Sequence, residues 1–227
     1  VIGSTSMAST AYGGSGDDTF DASNETSAGY IMDETTAQIT RGGTVGGIST
    51  ININSIESVI GTAQDDTIIG FGNVSAGDGE DDITRTANSL VINAGNDDDT
   101  INSDNTAGNT TVNGGSGIDT LDLSSSASAG WNSSVDGLTF TSGSTTLTTS
   151  SIENVTGSDF NDIIYESGTG QIISGGLGND YMSGGDGNDQ MDGGDGDDNM
   201  HGHAGEDTMS GGAGNDKLYG GEGNDQL

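Results

Sequence analysis

The chain has 227 residues, with 36 acidic side chains against three basic ones and a formal net charge of −33. Only 4% of the residues are aromatic and 42 are glycine, a composition typical of disordered chains unless a ligand neutralises the acids. Arg41, Arg85 and Lys217 are too few to form a basic patch, so the composition argues against nucleic acid or an anionic membrane as partner and favours cations.

Other features of the composition limit the classes of protein further. Cysteine is absent, which excludes disulfides and thiolate metal sites. No apolar run approaches the ~20 residues of a membrane span. The first ten residues, VIGSTSMAST, lack the basic and apolar regions of a signal peptide. The chain opens on Val1 and stops inside a repeat, as a fragment of a longer protein would.

A nine-residue pattern begins at residues 13–21, GGSGDDTFD, with aspartate at its sixth position and an apolar residue at its eighth. Residues 114–122 repeat it in full, and four degenerate segments keep the aspartate: 61–69, 76–84, 94–102 and 157–165. Segments without that aspartate lie between them, each with an apolar residue next to last: 70–75, 85–93, 103–113 and 166–174. The alternation predicts coils of two segments, with all these aspartates on one edge and the apolar residues inside.

Two longer stretches, 22–60 and 123–156, interrupt the pattern and are related to one another. Residues 13–29 and 114–130 share eleven of seventeen residues, and 55–69 align with 151–165. Alternating stretches such as STININ and GLTFTSG predict strands and hairpins. The sequence therefore predicts two β-rich insertions, the alternative being that each is only a wide turn.

From Gly175 onward the pattern is regular. It runs GGLGNDYMS, GGDGNDQMD, GGDGDDNMH, GHAGEDTMS, GGAGNDKLY and GGEGNDQL, six units of which the last is one residue short. The sixth position is always aspartate and the eighth is always methionine or leucine. Disorder does not require aspartate and an apolar residue at fixed positions in every unit, so the periodicity predicts a folded repeat.

These units resemble the GGxGxDxUx calcium-binding nonapeptide of the RTX (repeats-in-toxin) family, closest to its large secreted surface-layer and adhesin-type members. The resemblance implies an all-β parallel β-roll (β-solenoid), in which six residues form a calcium-binding turn and three form a short strand. It also implies type I secretion and a location outside the cell or at the surface of a bacterium. Glycines at positions one, two and four would permit positive φ and let carbonyls face an ion, and calcium takes six to eight oxygen ligands.

The predicted calcium ligands are the sixth-position aspartates, which would bind about ten Ca²⁺ ions in all. They are Asp18, Asp66, Asp81, Asp99, Asp119, Asp162, Asp180, Asp189, Asp198, Asp207, Asp216 and Asp225. We expect residues 1–174 to form a degenerate roll with calcium mainly on one edge, and 175–227 a regular roll with calcium on both. One continuous roll of about nine coils would be roughly 40 Å long at ~4.8 Å per coil.

The sequence predicts no enzyme. It contains neither a G-x-S-x-G nucleophile elbow nor an H-E-x-x-H zinc motif. His201 and His203 have the spacing of a strand-edge metal pair, but tolerated substitutions on a solvated turn are the favoured explanation. Tyr30, Trp131 and Phe140 lie in the insertions, where they either pack onto their own coil or contact a neighbour.

The favoured interpretation is a structural protein of a surface layer, an adhesin, or a filament or biofilm matrix. Leu227 fills an apolar position with no cap behind it, and residues 1–12 are a weak cap, so we expect self-assembly, with lateral contacts at 30–32 and 131–140. The alternatives are the calcium-dependent secretion and folding domain of an exported hydrolase or toxin, and an adhesin module that binds surface polysaccharide.

Overall fold

The computed structural model describes residues 9–12, 17–24, 30–33, 38–41, 50–54, 57–85, 91–106, 108–134, 137–168 and 170–227. These residues form strands and turns, with no helix among them, and so none that could cross a membrane. The chain divides into two compact units. Unit 1 comprises Val1–Asn102 and Ala107–Asp119, and unit 2 comprises Ser103–Thr106 and Thr120–Leu227.

Unit 1 contains twelve of the described strands. They are β1 (Ser9–Tyr12), β2 (Thr19–Asp21), β3 (Tyr30–Asp33), β4 (Gln38–Arg41), β5 (Thr50–Asn54), β6 (Ser58–Ile60), β7 (Thr67–Ile69), β8 (Asn73–Asp78), β9 (Asp82–Thr84), β10 (Val91–Asn96), β11 (Thr100–Asn102) and β12 (Thr110–Ser116). Within the unit one sheet has the order β1-β5-β4-β3-β7-β9-β11 and the other β2-β6-β8-β10-β12.

Unit 2 contains the other twelve. They are β13 (Thr120–Asp122), β14 (Asn132–Ser133), β15 (Thr139–Ser142), β16 (Thr145–Ser150), β17 (Asn154–Thr156), β18 (Ile163–Tyr165), β19 (Ile172–Leu177), β20 (Tyr181–Asp186), β21 (Gln190–Asp195), β22 (Asn199–Ala204), β23 (Thr208–Ser210) and β24 (Lys217–Glu222). The order is β13-β17-β19-β21-β23 in one sheet and β16-β15-β14-β18-β20-β22-β24 in the other.

The repeat strands pair in parallel with the eighth positions in register. Ile92 pairs with Val74, and Met182 with Met200. These side chains are between 0 and 3% exposed and stack inside each unit as the core. Successive chain segments alternate between the two sheets, which is the winding of a β-solenoid. The predicted all-β parallel roll is confirmed, with about nine turns in the part of the chain that the structure describes.

Each insertion supplies antiparallel strands. In unit 1, β4 pairs antiparallel with both β3 and β5. In unit 2, β15 pairs antiparallel with both β14 and β16. The first strand of each insertion pairs in parallel with the next repeat strand, β3 with β7 and β14 with β18. The predicted strands and hairpins are therefore confirmed, and each insertion takes the place of a rung in its sheet.

The aromatic residues of the insertions are buried. Tyr30 is 4% exposed and contacts Phe20 edge to face, with ring centroids 6.4 Å apart. Trp131 and Phe140 are fully buried, and the Trp131 indole N–H donates to the Ser126 hydroxyl. The packing interpretation is therefore correct for these three side chains, which do not offer a surface to a neighbour.

The ends of two sheets depart from the predicted core. Leu218 in β24 is half-buried, and Leu227 is 68% exposed rather than inward-facing. β24 is the last strand of its sheet, so the Leu218 side chain has a packed neighbour on one side only.

Candidate metal sites in the repeat turns

A column of four buried aspartates runs along one edge of unit 1. The N–H of Asp66 donates to Oδ1 of Asp81 at 2.7 Å, that of Asp81 to Asp99 at 2.8 Å, and that of Asp99 to Asp119 at 2.9 Å. The N–H of Tyr30 donates to Asp66 in the same way. Each carboxylate thus bridges its own turn to the turn before it, and we call this set the first column.

Unit 2 has a second column with the same hydrogen bonds. Asp162 donates its N–H to Oδ1 of Asp180 at 2.7 Å, Asp180 to Asp198 at 2.8 Å, and Asp198 to Asp216 at 3.0 Å. Trp131 begins this column by donating its N–H to Asp162. Tyr30 and Trp131, which are aligned in the two copies of the module, therefore have the same backbone role.

A third column lies on the other edge of unit 2. Gln171 donates its N–H to Asp189 at 2.8 Å, Asp189 to Asp207 at 2.9 Å, and Asp207 to Asp225 at 3.1 Å. The structure therefore separates the regular repeats into two edges, each with its own row of sixth-position carboxylates.

Asp18 is the predicted ligand that stands apart from these columns. It precedes β2. That strand lies in one sheet of unit 1, whereas β7, β9 and β11, which follow the first-column aspartates, lie in the other. Its N–H donates to Oε2 of Glu57 at 2.9 Å, so Glu57 takes the place that the next aspartate has in a column. The prediction that all sixth-position aspartates of residues 1–174 share one edge is therefore wrong for Asp18, and also for Asp162, since β18 lies in the other sheet of unit 2 than β13, which follows Asp119.

The second oxygen of most column carboxylates has no hydrogen-bond partner. Oδ2 is buried and unpaired in Asp18, Asp81, Asp99, Asp180, Asp189, Asp198 and Asp207. A buried polar atom without a partner costs free energy, and for a carboxylate the cost is larger because the charge is desolvated. These oxygens are therefore where a bound cation would be most stabilising.

First-position glycines in the regular repeats do not use the positive φ that they were predicted to permit. Gly193 and its equivalents in the regular repeats have ordinary φ. They are required for space instead, since a Cβ at Gly193 would lie 2.4 Å from Oδ2 of Asp198. Two segments of unit 1 have alanine at the first position, Ala76 and Ala94, so the requirement for a residue without a Cβ is stricter in the regular repeats.

Glycines at the second and fourth positions have positive φ as predicted. Gly194 and Gly196 have φ of 96° and 149°. A Cβ at either would lie within 2.0 Å of a carbonyl oxygen in the preceding coil, that of Gly176 or Gly178. The turns of adjacent coils thus bring peptide carbonyls and buried carboxylates close together, the hard oxygen donors that Ca²⁺ binds.

Burial raises the pKa of seven column carboxyl groups, those of Asp66, Asp81, Asp99, Asp162, Asp180, Asp189 and Asp198. It raises the pKa of Asp81 to about 8 and the pKa values of Asp99 and Asp180 to about 7. Neighbouring acids in each column add to the effect. Outside the columns, burial and the nearby Glu153 raise the pKa of Glu166 to about 8. Each of these groups favours a proton where no cation is bound.

The carboxylates do not converge in groups. Among the described residues no three His, Cys, Asp or Glu side chains are arranged around a common metal position. A calcium ion here would be held by one or two column carboxylates together with backbone carbonyls of adjacent turns. A groove of about 290 Å³ beside Asp81 is lined by further acids, Glu80, Asp82 and Asp98, and none of its described lining residues is cationic.

Sequence reasoning missed the fifth position of the repeat. Its side-chain oxygen accepts the N–H of the fifth residue one coil later: Asn179 accepts from Asp197 and Asp197 from Asn215, both at 2.8 Å. The signal was present, since all six regular repeats have Asn, Asp or Glu at this position.

The histidine pair is placed on the outer surface of unit 2. The His201 ring stacks on Tyr219 at 4.6 Å, and His203 Nε2 lies 2.9 Å from the Ser183 hydroxyl. The two imidazoles are 5.9 Å apart. These contacts agree with substitutions on a turn and its strand rather than with a metal pair.

The fold and these turns define a class of protein: a parallel β-solenoid whose repeat turns carry stacked, buried carboxylates suited to hard cations. The chain matches the RTX calcium-binding nonapeptide repeat (4 copies) in four segments, residues 8–24, 104–126, 168–200 and 192–227. The chain therefore contains RTX repeats in these segments, and such repeats bind calcium, are typical of secreted proteins and form structural domains that are typically non-catalytic. No curated protein matches the chain significantly.

Proposed function

We propose that this chain is a secreted structural protein that folds around calcium and then assembles at a bacterial cell surface or in an extracellular matrix. The sites are the three columns and the Asp18 turn. Calcium supplies the positive charge that these carboxylates need in order to be ionised and buried together.

The observation that carries the proposal is the row of unpaired, buried Oδ2 atoms. Oδ1 of Asp198 accepts the backbone N–H of Asp180, the sixth-position residue one coil earlier, while Oδ2 of both residues remains unsatisfied. Without a cation, an ionised aspartate in this position destabilises the folded state, because nothing compensates the burial of its charge. It is a suitable choice when folding and ion binding are a single event.

The location follows from the same chemistry. Calcium modules with modest affinity, in the range of about 10⁻⁴ to 10⁻³ M, function outside the cell. A chain of net charge −33 without cations would repel itself and stay unfolded. Such a protein folds where calcium is plentiful, which favours an extracellular setting.

The test is a calcium titration of the full chain followed by circular dichroism. We expect little β structure in excess chelator and a cooperative gain of β structure as calcium is added. Magnesium at the same concentration serves as the control, because its smaller, octahedral shell fits carbonyl-rich turns poorly. An unchanged β spectrum in chelator would contradict the calcium-driven account.

A second function, binding of a surface polysaccharide, is favoured by one surface feature. Rings of Tyr165, Tyr181, His201 and Tyr219 follow one another at 5.3, 5.4 and 4.6 Å along the outside of a sheet. Tyr219 is 52% exposed, and exposed ring faces suit the apolar faces of sugars. Tyr219→Ala should weaken binding to isolated polysaccharide, while Ile172→Ala, which removes an exposed side chain from the other sheet, should not.

A further inference from the structure

A cavity of about 340 Å³ in unit 2 lies outside the GGxGxD turns. Its lining includes Glu153, Glu166 and Gln171, together with Gly137 and Thr149 of the second insertion. None of the described residues that line it is cationic. The cavity therefore presents oxygen acceptors without a positive counter-charge.

The cavity lies at the beginning of the third column. Glu153 immediately precedes β17, Gln171 precedes β19, and Asp189 precedes β21. These three strands are neighbours in one sheet. Glu153 and Gln171 thus hold, in two successive coils, the place that aspartate holds in the rest of the column.

Glu166 adds a carboxylate where the regular repeat has glycine. It is the first residue of the segment 166–174, and the first residue of each regular repeat is a glycine lying against the column aspartate. Gly137 makes room for it, since a Cβ there would be 2.8 Å from Oε2 of Glu166.

Two of the acceptors in the cavity are buried and unpaired. Glu166 is 9% exposed and Gln171 is 4% exposed. Oε1 of each is shielded from solvent and has no hydrogen-bond partner. An ionised carboxylate in that setting requires a cation to compensate its desolvation.

The first copy of the module shows what a purely structural solution looks like. Residues 55–69 align with 151–165, so the turn 70–75 of unit 1 corresponds to 166–174. That turn is three residues shorter and contains Phe71, which is fully buried. The corresponding segment of the second copy has the buried polar residues Glu166 and Gln171 instead. Phe71 shows that the module can also accommodate an apolar side chain in this turn.

We propose that Glu166, Gln171 and Glu153 form a divalent-cation site, filled by Ca²⁺, that begins the third column with ligands unlike those of the nonapeptide turns. The Glu166 carboxylate and the Gln171 amide oxygen are its inner ligands, and Glu153 supplies further negative charge. The cavity exceeds the volume of one ion, so waters of about 30 Å³ each complete the six to eight ligands.

The experiment is native mass spectrometry of the full chain at saturating calcium, with ions counted for the wild type and for single variants. Glu166→Gln should bind one ion fewer than the wild type. Glu222→Gln, which makes the same change at an exposed residue of the same unit, should bind the full number. Glu153→Gln should bind the same ion more weakly, so that the ion is missing at calcium concentrations that still fill the wild-type site. This variant tests the site if Glu166→Gln does not fold.

Asp198→Asn distinguishes this site from the nonapeptide columns on which the proposed function rests. It should lose ions from the second column and keep the ion of the Glu166 site, so the Asp198→Asn/Glu166→Gln double variant should lose the sum of the two. If Glu166→Gln and Glu153→Gln both bind as many ions as the wild type, with unchanged calcium midpoints, the site is overturned even though the columns bind calcium.

Discussion

Adjacent aspartates in one turn show why the sixth position, and not the fifth, needs a cation. Asp197 is exposed, and the N–H and side-chain amide of Asn215 donate to it, which lowers its pKa. Asp198, the next residue, is 1% exposed with an unpaired Oδ2, and burial raises its pKa. The backbone and side chain of the neighbouring coil stabilise the charge of Asp197, whereas Asp198 has one N–H, that of Asp180, for its Oδ1 and no partner for its buried Oδ2.

We expect Asp198→Asn to weaken calcium binding, because asparagine keeps the hydrogen-bond acceptor and removes the charge. The matched control is Asp195→Asn, at an exposed third-position residue of the same turn. Isothermal titration calorimetry should show a loss of sites, or an affinity reduced by about tenfold or more, for Asp198→Asn. Asp195→Asn should remain within about twofold of the wild type. Equal losses in the two variants would mean that the ligand position has been assigned wrongly.

A second residue-level prediction concerns glycine. Gly194→Ala should lower the free energy of unfolding in calcium strongly, since φ is 96° and a Cβ would lie 2.0 Å from the Gly176 carbonyl oxygen. Gly143→Ala is the control, with φ of 60° and no atom within 4 Å of the added Cβ. The control should cost only the left-handed strain of about 1–2 kcal/mol, and Gly194→Ala at least twice that by urea unfolding. Similar costs would show that adjacent coils are not packed this closely.

At the scale of the element, a column is a cooperative unit. Each carboxylate accepts the N–H of the aspartate one coil before it, so the turns of a column are aligned with one another by side chain as well as by strand pairing. Like charges repeat along the column: besides burial, Asp162 and Asp198 raise the pKa of Asp180, and Asp216 raises the pKa of Asp198. Protons or cations must therefore enter a column for all its turns to pack at once.

This electrostatic coupling predicts how pH affects the calcium-free protein. The folded pKa values of Asp81, Asp99 and Asp180 are about 7 to 8, whereas unfolded aspartate titrates near ~3.9. Between these values the folded state holds more protons than the unfolded state, so stability falls as pH rises from about 4 to 8. In excess chelator the chain should therefore show more β structure by circular dichroism at pH 5, where the column carboxyl groups can hold protons, than at pH 8.

Calcium should reverse that trend, because the ion replaces the protons and binds ionised carboxylates. At saturating calcium we expect the urea midpoint at pH 8 to equal or exceed that at pH 5, and calcium addition at pH 7 to release protons. More β structure in excess chelator at pH 8 than at pH 5 would show that the column carboxyl groups are not buried as described.

At the scale of the whole molecule, the sequence predicted the features that recur in every nine-residue repeat. The period of nine predicted the parallel roll and its core, because the eighth-position residues Met182, Met191, Met200 and Met209 stack at fixed spacing. Long-range contacts were harder to predict. The backbone role of Trp131 depends on an atom thirty-one residues away, and no local pattern reports such a contact. The steric role of Gly193 was missed for another reason: Asp198 lies in the same repeat, but the pattern gives no distance between the two residues. The polar cavity at Glu166 forms where the second insertion contacts the segment 166–174, which lacks the sixth-position aspartate. Neither stretch follows the nine-residue pattern, so the pattern does not predict the cavity.

The surface of the molecule carries acids that the columns do not use. Asp186 and Asp195 occupy the third positions of two regular repeats and are exposed. Long-range repulsion at a net charge of −33 keeps chains apart when calcium is absent. Once calcium fills the columns, the repulsion decreases, and exposed carboxylates of two chains become able to share an ion.

We therefore expect two phases in a calcium titration of the full chain: folding at low calcium, followed by assembly into filaments or sheets at higher calcium. Circular dichroism reports the first phase, and light scattering with electron microscopy reports the second. The Asp186→Asn/Asp195→Asn double variant should fold at the same calcium concentration as the wild type but assemble less, because it loses bridging charge and no column ligand. Asp198→Asn should instead shift the folding phase, and assembly should shift with it. A chain that remains monomeric at millimolar calcium would refute the assembly proposal and favour a calcium-folded domain that serves an exported partner enzyme or toxin.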